Sequence, residues 1–459
     1  MRSELTHFYS TNRTVPLCTL RDALLQGQAP DRGLYLPKEY HPLTADDLRG
    51  LKGKAYFEVA HALLRRFTAG VLDDDKLLAT CQDAYNYDVP LEHVVERRFV
   101  LRLDQGPTAS FKDFAARMMA RWMGALMAQD GRELVILTAT SGDTGSAVAH
   151  AYHGVERVKV VVLFPIAEVS NRQRKQMTTL GGNITSIAID GKFDDCQAMV
   201  KQAFGDADLK QIQLSSANSI NIGRLLPQAV YYFYAYAQLA DLQKLEPIVV
   251  AVPSGNFGDM MGAIIARKMG LPISTLVIAT NANDEVPRFV ATGKYDKIVP
   301  SRTCISNAMN VGHPSNLARL VDAYGGWMDE TGLIKEPPRL DQMQRDLYAV
   351  SVDDEQTRAT IRRAFEEFRL LLEPHGAVGW AGLLRYLDEK KPKPEPLCVS
   401  VETAHPAKFP DEIKSLIGLD PPLPLALQGL EDKTENYETM AVDYQAFKKF
   451  VAERFTPGR

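Results

Sequence analysis

The chain has 459 residues, 45 % of them apolar and 24 % charged, ordinary values for a globular protein and enough for a large core without disulfides or metals. At roughly 100–200 residues per domain, two to four domains are expected. The 53 Lys and Arg against 57 Asp and Glu give a net charge of −4, which argues against a protein built to grip nucleic acid or an anionic membrane, though it leaves room for a small basic pocket. Five scattered cysteines (Cys18, Cys81, Cys196, Cys304 and Cys398) are odd in number and lack CxxC spacing, so neither a disulfide framework nor a zinc site is expected. The start, Met1-Arg2-Ser3-Glu4-Leu5, lacks the apolar region of a secretory signal. No apolar run nears the roughly 20 residues that span a bilayer, and a cytoplasmic protein is expected.

In chain order, residues 1–95 read as mostly helical, with turns at Asp31-Arg32-Gly33 and Tyr40-His41-Pro42. A helix is predicted from Asp113 to Met127. Apolar strand-like runs then alternate with helical stretches: Glu133 to Thr140, Val158 to Pro165 and Ile184 to Asp190, separated by helices at Gly145 to Gly154 and Asn171 to Leu180 and followed by one at Phe193 to Phe204. A helix from Leu225 to Leu242 separates these from two more strands, Pro247 to Val252 and Ile273 to Ala279, with Asp259 to Met269 helical between them. Continuous apolar strands spaced by helices predict parallel α/β sheets, here in two lobes. From Asp341 to Leu372 the pattern is long, amphipathic and helical, and Lys390 to Pro396 is a proline-rich turn before a short strand, Leu397 to Val401.

Four places carry candidate chemistry. In Gln105-Gly106-Pro107-Thr108-Ala109-Ser110-Phe111-Lys112-Asp113, a turn places Lys112 at a helix N-terminus, where the dipole and burial both favour the neutral amine that Schiff-base chemistry requires. A surface lysine beside a cap has the same spacing. Thr138 to Ser146 (TATSGDTGS) lies between strand and helix, and its small residues and hydroxyls suit an anion such as a carboxylate, or an ordinary capped turn. Pro253-Ser254-Gly255-Asn256-Phe257-Gly258-Asp259 follows a strand and opens a helix, and its two glycines let the backbone wrap a phosphate. In it, Asp259 is expected to act through its N–H, because two anions repel. After the last strand, Thr403 in Val401-Glu402-Thr403-Ala404-His405-Pro406-Ala407-Lys408 either meets a ring heteroatom or caps a turn. Ligands of open α/β sheets bind at the carboxyl ends of the strands, and a phosphorylated aldehyde cofactor requires a lysine, a phosphate cup and a ring-nitrogen partner.

These four motifs, together with Asp31-Arg32-Gly33-Leu34-Tyr35, Val286-Pro287-Arg288-Phe289 and Gly312-His313-Pro314-Ser315-Asn316-Leu317, resemble in order the signature set of the threonine synthase family, pyridoxal-phosphate enzymes of fold type II. The resemblance implies an α/β fold: two parallel or mixed-sheet lobes with a largely helical N-terminal region. Residues 1–95 would pack on the larger lobe, 96–240 would form the smaller lobe with Lys112 and the substrate loop, and 241–459 the larger lobe with the cofactor phosphate loop. It further implies that Lys112 holds pyridoxal 5'-phosphate and is catalytic. Ser254, Gly255, Asn256, Phe257, Gly258 and Asp259 would bind the cofactor phosphate, and Thr403 would face the ring nitrogen. Thr140, Ser141, Gly142, Asp143 and Thr144 would receive the substrate carboxylate, and Asn221 and Arg224 the substrate phosphate. Two positions depart from the family pattern: Gln105 stands where many relatives have His, and Asn310 where many have Asp. His313 and His375 are expected to be structural.

The implied activity is conversion of O-phospho-L-homoserine and water to L-threonine and phosphate. Rivals are a related phospho-lyase releasing 2-oxobutyrate and a non-catalytic relative of the fold. The expected partner is the small-molecule substrate, with no nucleic acid, membrane or metal, in a monomer or homodimer.

Overall fold

A computed structural model describes residues 5–140 and 142–456. Near the N-terminus, strands β1 (His7–Ser10), β2 (Cys18–Thr19) and β3 (Tyr35–Pro37) form a small antiparallel sheet accompanied by short helices. A hairpin follows, β4 (Leu91–Val95) and β5 (Arg98–Arg102), and then the helix Lys112–Asp130. The middle of the chain supplies β6 (Leu134–Ala139), β7 (Val158–Pro165), β8 (Ile184–Asp190), β9 (Leu214–Ser216), β10 (Ile248–Pro253) and β11 (Ile273–Thr280). A two-strand ribbon, β12 (Trp327–Met328) and β13 (Ile334–Glu336), precedes β14 (Leu347–Ser351), β15 (Leu397–Glu402) and β16 (Glu438–Ala441).

Two sheets organise the molecule. One has the order β16-β8-β7-β6-β9 with every neighbouring pair parallel. The other runs β14-β11-β10-β15-β5-β4 and is parallel except for the β4–β5 hairpin. Helices cover both faces of the first sheet, which is why its strands read as unbroken apolar runs. Ile136, Val160 and Val162 share a core with Met119 and Trp122 of the helix Lys112–Asp130. The alternate residues Leu137, Val161 and Leu163 pack instead with Met199, Phe447 and Val451.

The helices and strands of the middle region follow the expected pattern, including β7 and β8 to the residue. Three expectations change. The stretch expected to be one long helix from Asp341 is broken into a helix Leu340–Asp346, the strand β14 and a helix Asp354–Phe368. Leu-Tyr-Ala-Val is compatible with either state, and pairing with β11 at the sheet edge selects the strand. The N-terminal region carries a sheet that local periodicity does not show, because β1 and β3 are far apart in sequence. That region also straddles both lobes: Ser215 Oγ donates to Leu24 O at 3.1 Å, while Tyr9 OH donates to Asp322 Oδ2 at 2.5 Å. Finally, the sheets cross the expected boundaries at 95/96 and 240/241. β5 pairs with β15 in the large sheet, and β16 returns from the C-terminus to pair with β8 in the small one. Long-range strand pairing overrides sequence order.

Phe447, fully buried in the helix Tyr444–Phe455, anchors this C-terminal return. Phe447→Ala is expected to cost about 3–5 kcal/mol of unfolding free energy, measured by urea denaturation.

Candidate active site

The carboxyl ends of β6, β10 and β15 converge on the N-terminus of the helix Lys112–Asp130, where Lys112 is the first helical residue. The loop before it is bound to the chain that leaves β15. Phe111 N–H donates to Thr403 O at 2.9 Å, His405 N–H donates to Ala109 O at 3.0 Å, and Ser110 bridges Ala404. The loop is also closed on itself. The buried Asp113 carboxylate accepts the Thr108 N–H at 2.9 Å and the Thr108 hydroxyl at 2.6 Å. A Cβ on Gly106 would lie 2.5 Å from Asp113 Oδ2, so the turn requires glycine there. The Lys112 side chain is thus carried to the same place as Thr403.

Burial lowers the pKa of Lys112, and the cations Lys408 and Arg224 push it the same way, against Asp143 and Glu373. Asp143 opens the helix Asp143–Tyr152, and its charge is directed elsewhere. Its Oδ1 lies 2.6 Å from Lys408 Nζ and accepts from Gln173 Nε2 at 2.9 Å. Burial raises the Asp143 pKa, but Lys408 and Lys112 outweigh it and hold the group below the ordinary carboxylate range. The Lys408 side chain has no exposed surface and also donates to Thr108 O at 3.0 Å. One ammonium therefore joins the loop after β6, the lysine loop and the segment after β15.

The loop after β10 forms a cup of donors. Ser254 is used structurally, its N–H bonded to Ala279 O and its hydroxyl to Val252 O. Among the described residues, the N–H groups of Gly255, Asn256, Phe257 and Gly258 have no protein acceptor. Phe257 has a left-handed backbone (φ 62°) and turns the chain into the helix Gly258–Lys268. A Cβ on Gly255 would meet Met309 Cα at 2.7 Å, so the loop can close only without one. The Asn256 side chain spans the cup wall, donating to Ser219 Oγ at 2.9 Å and accepting from Ser315 N–H at 2.7 Å. Asn316 Nδ2 holds Asn256 O at 2.9 Å. Asp259 turns its carboxylate away from its own N–H, and Oδ1 accepts the hydroxyls of Tyr231 and Tyr232. Burial pushes its pKa up to about 6 against those two hydroxyls and Lys112. Four free N–H groups at a helix start, a lysine amine and a buried hydroxyl are the donor set that a phosphorylated aldehyde of pyridine requires.

Thr403 is 6 % exposed, and its hydroxyl donates to Glu373 Oε1 at 3.4 Å. Glu373 caps the helix Pro374–Lys390 and accepts from His375 N and Nδ1 and from Gly376 N. His375 Nε2 accepts from Ala308 N–H at 3.1 Å, so the network assigns the proton to Nδ1 and makes this histidine structural. His313 is likewise held, by Tyr295 OH at 2.7 Å.

Among the expected substrate residues the structure divides the roles. Thr140 Oγ1 is occupied by the N–H groups of Gly142 and Gly145, at 2.9 and 2.8 Å. Among the described residues, the N–H groups of Asp143 and Thr144 and the Thr144 hydroxyl have no acceptor, and Ser141 lies outside the described residues. Arg224 is buried, donates to Ala217 O and has an unpartnered Nε. Asn221 is engaged with backbone. Both donors of its amide are taken, by Leu24 O at 2.9 Å and Ser216 O at 3.0 Å, because the amide fixes the segment before Arg224. Gln105 bonds its neighbour Asp104, and Asn310 both accepts from Asn281 Nδ2 at 3.0 Å and donates to Cys304 O, which an Asp there could not do. Sequence reasoning missed Lys408, Glu373, Gln173, Ser219 and Asn316. Lys408 lay inside a quoted motif, but nothing local distinguishes it from a solvated lysine.

Comparisons with known proteins point to one family. Residues 90–402 match the family described as pyridoxal-phosphate dependent enzyme. Residues 7–85 match the threonine synthase N terminus and 376–451 the threonine synthase C-terminal family. A threonine synthase of Haemophilus influenzae is 40 % identical over 424 residues, covering 92 % of this chain and 93 % of the relative. That of Escherichia coli is 36 % identical over 430 residues, 94 % and 95 % of the two chains. A crystal structure of pyridoxal-phosphate-bound threonine synthase from Brucella melitensis superposes with a TM-score of 0.89 at 35 % identity, covering 98 % and 99 %. The yeast enzyme gives 0.88 at 28 % identity, covering 98 % of each chain.

Two outcomes are expected from the charges. Lys408→Met leaves Asp143 buried and unpaired and should cost about 3–5 kcal/mol of stability, whereas Asp143→Asn added to it should recover part of that loss in a denaturation cycle. Asp259 has a raised folded pKa, so the stability it contributes is full below the unfolded value of 3.8 and is lost as pH rises through about 6. Asp259→Asn, which keeps the acceptor oxygen, should remove ~2–3 kcal/mol of pH dependence from the unfolding free energy across that window.

Proposed function

The chain belongs to the threonine synthase family of pyridoxal-phosphate enzymes, and from that premise we propose that it converts O-phospho-L-homoserine and water to L-threonine and phosphate. The observation that carries the reading is the juxtaposition of a half-buried lysine amine, which makes no ion pair among the described residues, with four free backbone N–H groups at the start of the helix Gly258–Lys268. Among the described residues, no helix is long and apolar enough to cross a membrane.

Bound pyridoxal phosphate supplies an electron-accepting ring that stabilises negative charge at the substrate Cα. The residues divide the remaining work. Lys112 would hold the cofactor aldehyde through its amine, and the same amine would move the proton at the substrate Cα. The N–H groups of residues 255–258 would hold the cofactor phosphate. Those of Asp143 and Thr144, with the Thr144 hydroxyl, orient the substrate carboxylate at the start of their helix. Arg224, a buried cation that acts on the Lys112 charge, is suited to the substrate phosphate, which leaves from Cγ before water adds at Cβ. Asn221 accepts the Arg224 N–H at 3.0 Å on its carbonyl and, through its amide, fixes the backbone before Arg224. Lys408 and Gln173 hold the Asp143 carboxylate, and burial with the nearby cations lowers the Lys112 pKa against the opposing pull of Asp143. This unit draws on both lobes, with β5 and β15 in the larger and β6 and β16 in the smaller. We assign it to the cytoplasm, supported by five free cysteines, and expect a monomer or homodimer.

Lys112→Ala is expected to abolish both the visible absorbance of the bound cofactor and turnover. An unchanged absorbance would remove Lys112 from its role. With the native chain and phosphohomoserine, threonine and phosphate are expected in equal amounts. Release of 2-oxobutyrate in place of threonine would instead support the phospho-lyase.

A further inference from the structure

Arg319 is a buried cation that no role described so far uses. It lies in the helix Leu317–Ala323 with 0 % of its surface exposed. Four of its five N–H donors are bonded, every one to a neutral oxygen: Nε to Tyr35 O at 3.1 Å, Nη1 to Ser219 O at 2.9 Å and Asn316 Oδ1 at 2.6 Å, and Nη2 to Ile220 O at 2.7 Å. Among the described residues no carboxylate lies within ion-pair distance, and the ionisable group in its field is the uncharged phenol of Tyr40. A guanidinium held in this way keeps its proton but leaves a formal charge uncompensated in a low-dielectric interior, an arrangement that is costly unless an anion arrives.

Its location indicates which anion. Two separate paths, each one residue long, lead from Arg319 to the cup after β10. Arg319 fixes Asn316 through its side-chain oxygen, and Asn316 Nδ2 holds Asn256 O at 2.9 Å. Arg319 also fixes the Ser219 carbonyl, and the Ser219 hydroxyl accepts Asn256 Nδ2 at 2.9 Å and Asn316 Nδ2 at 3.1 Å. Ser219 Cβ lies 3.3 Å from where a Gly258 side chain would begin, directly against the cup. The cup itself offers N–H dipoles and no charged donor: Asn256 is neutral, and the carboxylate of Asp259 is turned onto two tyrosines. A phosphate dianion bound there would be solvated by dipoles alone, unless a cation behind the loop contributes through the protein interior, where charges interact over longer distances than in water.

We propose that Arg319 is a positioning residue for the cofactor phosphate, fixing the Ser219 and Asn316 partners of Asn256 and supplying the buried positive charge that balances the dianion in the cup. The proposal rests on residues 254–259 being the phosphate loop. It adds a second-layer charge that the loop sequence does not contain, and it accounts for an arginine with no ion pair at a completely buried position.

The test compares pyridoxal phosphate with pyridoxal, which has the same ring and aldehyde but no phosphate. Dissociation constants for both are measured by absorbance titration of the cofactor-free, full-length chain. Arg319→Met should weaken pyridoxal phosphate binding about tenfold or more while changing pyridoxal binding less than about twofold, since both the buried charge and the cup wall it positions act on the phosphate and not on the ring. Arg319→Lys should retain most of the discrimination and Arg319→Gln should lose it. These two decide the matter if Arg319→Met does not fold. Equal losses for the two ligands, no change for either, or identical behaviour of the Lys and Gln variants would overturn the proposal. Gly255→Ala separates it from its premise. If that variant loses the preference for the phosphorylated ligand while the Arg319 variants keep it, the loop is the phosphate site and Arg319 is not its counter-charge. If Gly255→Ala keeps the wild-type preference, the loop assignment fails and the proposal falls with it.

Discussion

The Lys408 ammonium, shut off from solvent between Asp143 Oδ1 and Thr108 O, is the interaction on which the rest of the site depends. A charge without exposed surface is tolerated only when its partners are fixed in place, and these partners come from loops at the ends of different strands. The pair forms only if the lysine loop is bound to the segment after β15 and the helix Asp143–Tyr152 begins at its observed position. It therefore fixes the relative placement of Lys112, the helix start proposed to face the substrate carboxylate, and Thr403. It also decides which cation the Asp143 carboxylate serves. Drawn onto Lys408 and Gln173, that carboxylate supports ammonium character at Lys112 less than it would if it were free.

The cup after β10 is built on a different principle. Its wall is a set of amide and hydroxyl bonds among Asn256, Ser219, Ser315 and Asn316, each neutral and each satisfied. Rigid dipoles aimed at one point bind an anion without having to reorganise, and the missing Cβ at Gly255 lets Met309 close one side. Charge is kept out of the immediate rim, as the turning of Asp259 onto Tyr231 and Tyr232 shows.

What could be read from the sequence followed the range of the forces involved. β7 and β8 were legible because a strand covered on both faces must be apolar along its length, and residues 254–259 were legible because the turn, the glycines and the helix start are adjacent. The breaking of the expected Asp341 helix by β14 was hidden, since edge pairing with β11 decided the state of an ambiguous segment. Lys408 and Arg319 were illegible for the same reason: burial of a basic side chain is set by partners far away in sequence, and locally both residues look like surface cations. Asn221 shows the converse limit of local reading. A polar residue beside a ligand site was read as a ligand, whereas its amide is taken up in holding backbone.

The sheet orders have a consequence for how the chain is made. β8 receives its outer neighbour, β16, only from residues 438–441, and β5 receives β15 from residues 397–402. During synthesis, each lobe's sheet therefore waits with an unpaired strand edge until residues 397–402 and 438–441 have left the ribosome. Neither lobe can complete its own sheet as an autonomous early unit, and the exposed edges are templates for wrong pairing in the interval. The last strand is thus a folding checkpoint as well as a structural cover: a chain that stops short of it leaves β8 open to any passing strand.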